Sequence, residues 1–153
     1  MDTAAVVGRL VDRYNQHDLG ALAECYAPGA TVSHNGWADA IDAGTWMEYL
    51  GVMLATFPDL RVQPVNLVTE GGSAMLEARL TGTNTGPYPV SEAERLILGI
   101  QAGMLPPTGR AIDYGGAVGI QIADGLVTAE HHYWPLADQM IQLGLAGTTA
   151  PLG

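Results

Sequence analysis

The densest group of proton-handling and aromatic side chains in the sequence is Glu130-His131-His132-Tyr133-Trp134. A carboxylate, two imidazoles and a phenol in five residues suit general acid/base chemistry near neutral pH. Imidazole titrates there, and desolvation pushes a carboxylate toward it. The surrounding pattern is a β-hairpin: Ala111–Ile122 and Leu126–Trp134 flank Ala123-Asp124-Gly125. An Asp-Gly step between such runs marks a tight turn, because both residues tolerate positive φ. Pro135 has no N–H to donate and ends the second arm. His131 and His132 point to opposite faces of a strand, and no His-Glu-x-x-His spacing occurs, so no metal site is expected. No Gly-rich phosphate loop and no Ser nucleophile elbow are present.

Two further candidates lie upstream. His34 closes a short alternating run, Ala30–His34, before Asn35-Gly36. Tyr49 lies on a predicted helix over 45–57, beside a stripe formed by Trp46, Leu50, Met53/Leu54 and Phe57. Its spacing makes it a neighbour of Trp46 and Met53. A phenol at the edge of an apolar face must find a partner or water, so Tyr49 is the helix residue best placed to meet a ligand.

These candidates need elements to position them. Residues 3–17 read as an amphipathic helix capped by Asp2, and Asp18 caps a short helix over Leu19–Tyr26. Thr45 and Glu48 fit a capping box. Leu60–Val68 is a strand that Pro64 confines to an edge or a bulge. Ser73–Thr83 is a strand whose Glu77 and Arg79 face solvent or an interface. Residues 87–109, with a helical patch at Ser91–Ile100, form a lid or crossover, and Ala137–Leu143 is a last helical turn or two. Helices first and long strands after predict an α+β fold: a cone-shaped, curved antiparallel sheet packed against three N-terminal helices. Residues 1–146 form a single domain and 147–153 a flexible tail.

Composition sets outer bounds. A chain of 153 residues buries roughly 68–70% of its unfolded surface, and 48% of these residues are apolar. The net charge of −10 leaves too few cations to neutralise phosphates, which argues against nucleic acid and anionic membrane as partners. The single cysteine, Cys25, reads as a small buried apolar residue in a reducing compartment. With no signal-peptide pattern and no spanning run, a cytoplasmic protein is expected.

Several segments together resemble the SnoaL-like polyketide cyclases of the nuclear transport factor 2-like superfamily. They are Ala30–His34, Phe57-Pro58-Asp59-Leu60-Arg61, Thr81-Gly82-Thr83-Asn84-Thr85-Gly86-Pro87, Pro106-Pro107-Thr108-Gly109-Arg110, Asp124-Gly125 and Gln142-Leu143-Gly144-Leu145. The resemblance covers roughly residues 5–145 and implies a cone-shaped pocket without metal or organic cofactor. In such cyclases an Asp on the last strand acts as general acid/base. Here that position, counted back from Gln142, is Pro135. A His or Arg position on the preceding strand is Gln121, and the family's His in the Thr-His-Thr-Gly step is Asn84.

If the Pro135 position faces the cone, parity turns Tyr133 and His131 inward, and the same register turns Gln121 and Asp113 inward. Asp113 and His131 then become the acid/base pair, with Tyr49 donating a hydrogen bond to substrate oxygen. His34, Trp46, Met53, Gln121, Tyr133 and Trp134 contact substrate. A shift of one residue turns Glu130, His132 and Trp134 inward instead. The implied function is a cofactor-free cyclase of an apolar polyketide- or terpenoid-type intermediate, by aldol or epoxide-opening ring closure. An epoxide hydrolase or isomerase, or a non-catalytic small-molecule binder, are the alternatives. A homodimer through the sheet face carrying Glu77 and Arg79 is also expected.

Overall fold

Apolar residues at Val6, Val7, Leu10 and Val11 recur at helical spacing, and these four are buried in the first helix, α1 (Thr3–Asn15). Asp2 sits at its N-cap without a side-chain capping bond. Asp18 does cap α2 (Leu19–Ala23) by accepting from the Ala21 N–H, and this helix ends three residues earlier than predicted because Tyr26 opens a strand. The computed structural model describes residues 2–101 and 103–146. The tail predicted over 147–153 lies outside the described residues.

The chain continues through β1 (Tyr26–His34), β2 (Ile41–Asp42) and α3 (Ala43–Thr56). Asp42, not Thr45, caps α3, accepting from the Thr45 N–H at 2.7 Å; the helix starts two residues before the predicted box. Then come β3 (Arg61–Glu70), β4 (Ser73–Thr83), β5 (Tyr88–Pro89), α4 (Glu92–Leu98), β6 (Met104–Leu105), β7 (Ala111–Ala123), β8 (Leu126–Tyr133) and α5 (Leu136–Gln142). A capping box does form on α4, between Ser91 and Glu94.

Six strands form one sheet in the order β2-β1-β8-β7-β4-β3. Four pairings are antiparallel and β1–β8 is parallel, a pairing outside the wholly antiparallel sheet expected. The Asp124-Gly125 turn has φ of 52° and 74°, as the hairpin requires. β3 is an edge strand, and its register shifts between Pro64 and Asn66, so Pro64 marks both an edge and a bulge. β5 and β6 pair apart from the main sheet, within the predicted lid.

One face of the sheet packs against α1 and α3. On β4 that face carries Ala74, Leu76, Ala78 and Leu80, and on β7 Ile112, Tyr114, Val118 and Ile120, all buried. The other face is open and carries Met75, Glu77 and Arg79 on β4. Among the described residues no helix is long and apolar enough to cross a membrane.

Candidate functional site

Between the covered face of the sheet, the two long helices, the 88–94 segment and α5 lies a cavity of about 440 Å³. Its wall is mainly aromatic and aliphatic, with Tyr14 from α1, Tyr49 and Met53 from α3, and Tyr114 and Trp134 from the hairpin. A smaller void of about 60 Å³ shares Tyr14, Leu80 and Trp134 with it and reaches Glu130 and His132 beneath.

Glu130 is 2% exposed and is the end point of two hydrogen-bond chains. In one, the Trp46 indole N–H donates to the Tyr26 hydroxyl at 3.1 Å, and that hydroxyl donates to Glu130 Oε1 at 2.7 Å. In the other, the Trp134 indole N–H donates to His132 Nδ1 at 3.2 Å, and His132 Nε2 bonds Glu130 Oε2 at 2.7 Å. An indole can only donate, so both chains run toward the carboxylate. His132 Nδ1 accepts and therefore bears no proton, which leaves His132 neutral with its proton on Nε2. Glu130 thus accepts two bonds from neutral donors and meets no lysine or arginine among the described residues. Burial first, and the Glu130 charge second, push the Tyr26 hydroxyl well above its usual range.

A second buried carboxylate stands on the cavity wall. Glu94 is 4% exposed and accepts from the Tyr88 hydroxyl and from the Ser91 N–H at 2.8 Å. Behind them, the Tyr114 hydroxyl donates to Gln139 Oε1, and Gln139 Nε2 donates to the Tyr88 hydroxyl at 2.8 Å. These donors, too, are neutral. Burial, reinforced by the Glu94 charge, pushes the Tyr49 hydroxyl up to about 12 and raises Tyr88 further; burial, then Tyr49 and then Glu94, raise Tyr114. Tyr14 is raised by burial as well. All four phenols are protonated donors at neutral pH. The Tyr14 and Tyr49 hydroxyls have no hydrogen-bond partner among the described residues and are not sealed in protein, so they are open to a ligand in the cavity they line.

His34 completes the wall. The parallel β1–β8 register sets it opposite His132, their rings parallel with centroids 6.2 Å apart. Trp37 stacks on His34 and meets Tyr49 edge-on, with centroids 5.3 Å from each. His34 Nδ1 lies 2.8 Å from the Asn35 carbonyl oxygen, which can only accept, so Nδ1 carries the proton and Nε2 presents a lone pair. Burial lowers the His34 pKa below 6.5, and the Asn35 bond opposes this. At neutral pH His34 is a neutral imidazole with one free basic nitrogen.

Of the residues expected at the site, His34, Tyr49, Met53 and Trp134 line the cavity. Trp46 lies deeper, against the small void, and holds Tyr26. The inward placement of the other four is corrected. Asp113 is on the open face, its side chain 55% exposed and paired with Arg79 at 2.6 Å. His131 is exposed and bonds Ser33 Oγ at 2.6 Å. Gln121 is exposed and accepts from Ser73 Oγ at 2.9 Å, and Tyr133 is 53% exposed. The cause is register. The strand stops at Tyr133, and Pro135 belongs to the start of α5, so strand parity cannot be counted back through it. On β7 the apolar residues already alternate on the even positions 112, 114, 118, 120 and 122. That alternation was the signal for the true face. Asn84, where the family has His, is buried away from the cavity. It accepts from the Thr108 N–H and hydroxyl, and its amide donates to the Gly86 carbonyl, tying two loops together.

Tyr14, Trp37, Tyr88, Glu94, Tyr114 and Gln139 were not expected at the site. Each looks like ordinary helix, loop or strand residue in sequence, and only long-range packing gathers them.

A family model described as SnoaL-like domain matches residues 7–130. Among solved structures, a proposed SnoaL-like polyketide cyclase from Jannaschia sp. CCS1 is 24% identical, with 95% of this chain and 93% of that chain covered and a TM-score of 0.76. IdmH, a proposed polyketide cyclase from Streptomyces antibioticus, is 21% identical, covering 94% and 99%, with a TM-score of 0.74. AclR, a proposed hydroxylase from Streptomyces galilaeus, is 17% identical, covering 98% and 85%, with a TM-score of 0.76. No curated protein matches the chain in sequence. At these identities the structural likenesses speak for the fold.

Proposed function

This chain belongs to the SnoaL-like domain family, and from that premise we propose that it is a cofactor-free cyclase of a largely apolar natural-product intermediate. The observation that carries this is the pairing, on one cavity wall, of a neutral His34 with a free Nε2 and of protonated phenols at Tyr14 and Tyr49. A base and hydrogen-bond donors around an apolar hollow are what intramolecular aldol closure needs.

In that reaction His34 Nε2 takes a proton from the carbon between two carbonyls. Tyr49 and Tyr14 donate to the enolate oxygen that forms. The enolate carbon attacks a second carbonyl of the same chain, and the imidazolium returns its proton to the new alkoxide. A positioned general base of this kind contributes about 10²–10⁴-fold. Confinement of a flexible chain in about 440 Å³ favours the folded, reactive conformers. Asp113 and His131 have no part in it.

The test is a pair of synthetic linear poly-β-ketones without a carboxylate, one neutral and one ending in a tertiary amine, each incubated with the protein, and ring products resolved by chromatography and mass spectrometry. One cyclised product should form faster than in buffer, and His34→Gln should slow it by about 10²-fold. An unchanged product distribution overturns the enzyme reading. Ligand-dependent thermal protection without conversion would favour a binder. We also propose a homodimer through the open sheet face, where Glu77 and Arg79 are exposed. A monomer by light scattering at micromolar concentration overturns that.

A further inference from the structure

The cavity wall carries no lysine or arginine among the described residues. The chain has no lysine at all, and its six arginines lie elsewhere. Arg9 donates to the Gly125 carbonyl, Arg79 pairs with Asp113, and Arg110 lies against Gly144. Arg13, Arg61 and Arg95 take no part in the wall.

What the wall does carry is six aromatic rings, from Tyr14, Trp37, Tyr49, Tyr88, Tyr114 and Trp134. It also carries Glu94, whose partners are a phenol and a backbone N–H, both neutral. Behind Tyr14 and Trp134 sits Glu130, again held by neutral donors. Among the described residues no lysine or arginine meets either carboxyl group, so what polar chemistry the wall offers suits a positive group better than a negative one. Aromatic faces, with their negative quadrupoles, add to that. The unpartnered hydroxyl oxygens of Tyr14 and Tyr49 can accept hydrogen bonds as well as donate them. An anion entering such a space would lose its hydration without finding any charged donor. A cation would find a carboxylate and several ring faces.

We propose that the cavity takes a ligand bearing a protonated amine or quaternary ammonium group, seated among these rings on the Glu94 side, and that it turns away carboxylates and phosphate esters. This names the substrate class of the cavity assigned above and rests on that assignment: the cyclised intermediate is an aminated or basic N-heterocyclic one.

The experiment compares a cation with its uncharged isostere. Phenyltrimethylammonium and tert-butylbenzene have the same shape and differ only in nitrogen for carbon. Binding is read by quenching of tryptophan fluorescence, since Trp37 and Trp134 face the cavity. The cation should bind at least about tenfold more tightly than the isostere, and benzoate should not bind. Glu94→Gln should reduce that preference to about threefold or less while leaving the isostere's affinity in place. This variant changes the net charge only from −10 to −9, so a general attraction to an acidic surface would survive it. If Glu94→Gln does not fold, Trp37→Leu, on a half-buried loop residue, serves instead. It should weaken the cation about fivefold and the isostere less than twofold.

Equal affinities, tighter binding of the isostere, or a preference unchanged in both variants overturns the proposal. The two readings fail separately. Ring closure of a neutral polyketide by a protein with no cation preference removes this inference alone. A cation preference in a protein that closes no ring removes the cyclase alone.

Discussion

Trp134 donates its indole N–H to His132 Nδ1 at 3.2 Å, and this one bond decides the charge state of the buried cluster below the cavity. With Nδ1 occupied as an acceptor, the only proton on the ring is on Nε2, aimed at Glu130. Nitrogen-15 NMR of the histidine side chains should show His132 as the neutral Nε2–H tautomer at pH 7. A Nδ1–H signal, or an imidazolium, would contradict the assignment. Trp134→Phe removes the donor while keeping a ring, and should cost about 1–2 kcal/mol of stability in denaturant titration.

The two faces of the sheet should answer very differently to loss of a carboxylate. Glu130→Gln places an NH₂ where two donors converge, from Tyr26 and His132, and one of three buried groups is then left without an acceptor. A loss of about 2–4 kcal/mol is expected. Asp113→Asn loosens an exposed pair with Arg79 and should cost under about 1 kcal/mol. Turnover in Asp113→Asn and His131→Ala should stay within about twofold of wild type, as for surface positions away from the site. Equal destabilisation of the two carboxylate variants would mean that Glu130 is not held as described.

How far the site could be read from sequence turns on strand parity. The hairpin, the Asp124-Gly125 turn, β4 and the bulge at Pro64 follow from turn chemistry and alternation, which are local. The facing of β8 does not. Its two sets, Ala129-His131-Tyr133 and Glu130-His132-Trp134, are about equally polar, so burial cannot be inferred from type. A register shift between Gln121 and Ile122 breaks the parity near the turn, and Pro135 breaks it at the other end. What turns Glu130 inward is Tyr26, 104 residues away, reached only because β1 runs parallel to β8. That pairing has no signature in the local pattern.

Acid should both destabilise the protein and silence it, through His34. Burial holds its folded pKa below the ordinary 6.5, so the unfolded chain takes up the proton first as pH falls. His34 therefore favours the folded state fully above pH 6.5, and this contribution is lost as pH drops through the lower folded value. His34→Gln should flatten that part of the stability profile measured by urea titration. In turnover, the acid limb should lie below pH 6.5, where Nε2 becomes protonated. Tyr49, pushed up to about 12, contributes no alkaline limb below pH 10. An acid limb above pH 7, or one that persists unchanged in His34→Gln, would remove His34 as the base.

Two tyrosines separate binding from architecture. The Tyr14 hydroxyl has no partner among the described residues and lines the cavity, whereas the Tyr26 hydroxyl bridges Trp46 and Glu130. Tyr14→Phe removes a group that bonds none of the described residues, so stability should change by less than about 0.5 kcal/mol. Its turnover should nevertheless fall by about 10-fold or more, because the developing enolate oxygen loses a donor. Tyr26→Phe should do the reverse at first order. It strands the Trp46 N–H and one Glu130 lone pair in a dry environment, costing about 1–3 kcal/mol. A thermal melt and one turnover assay on each variant suffice. If Tyr14→Phe melted well below wild type, its hydroxyl would be a structural bond and not an open donor. If it melted normally and turned over normally, the enolate would be held by Tyr49 alone.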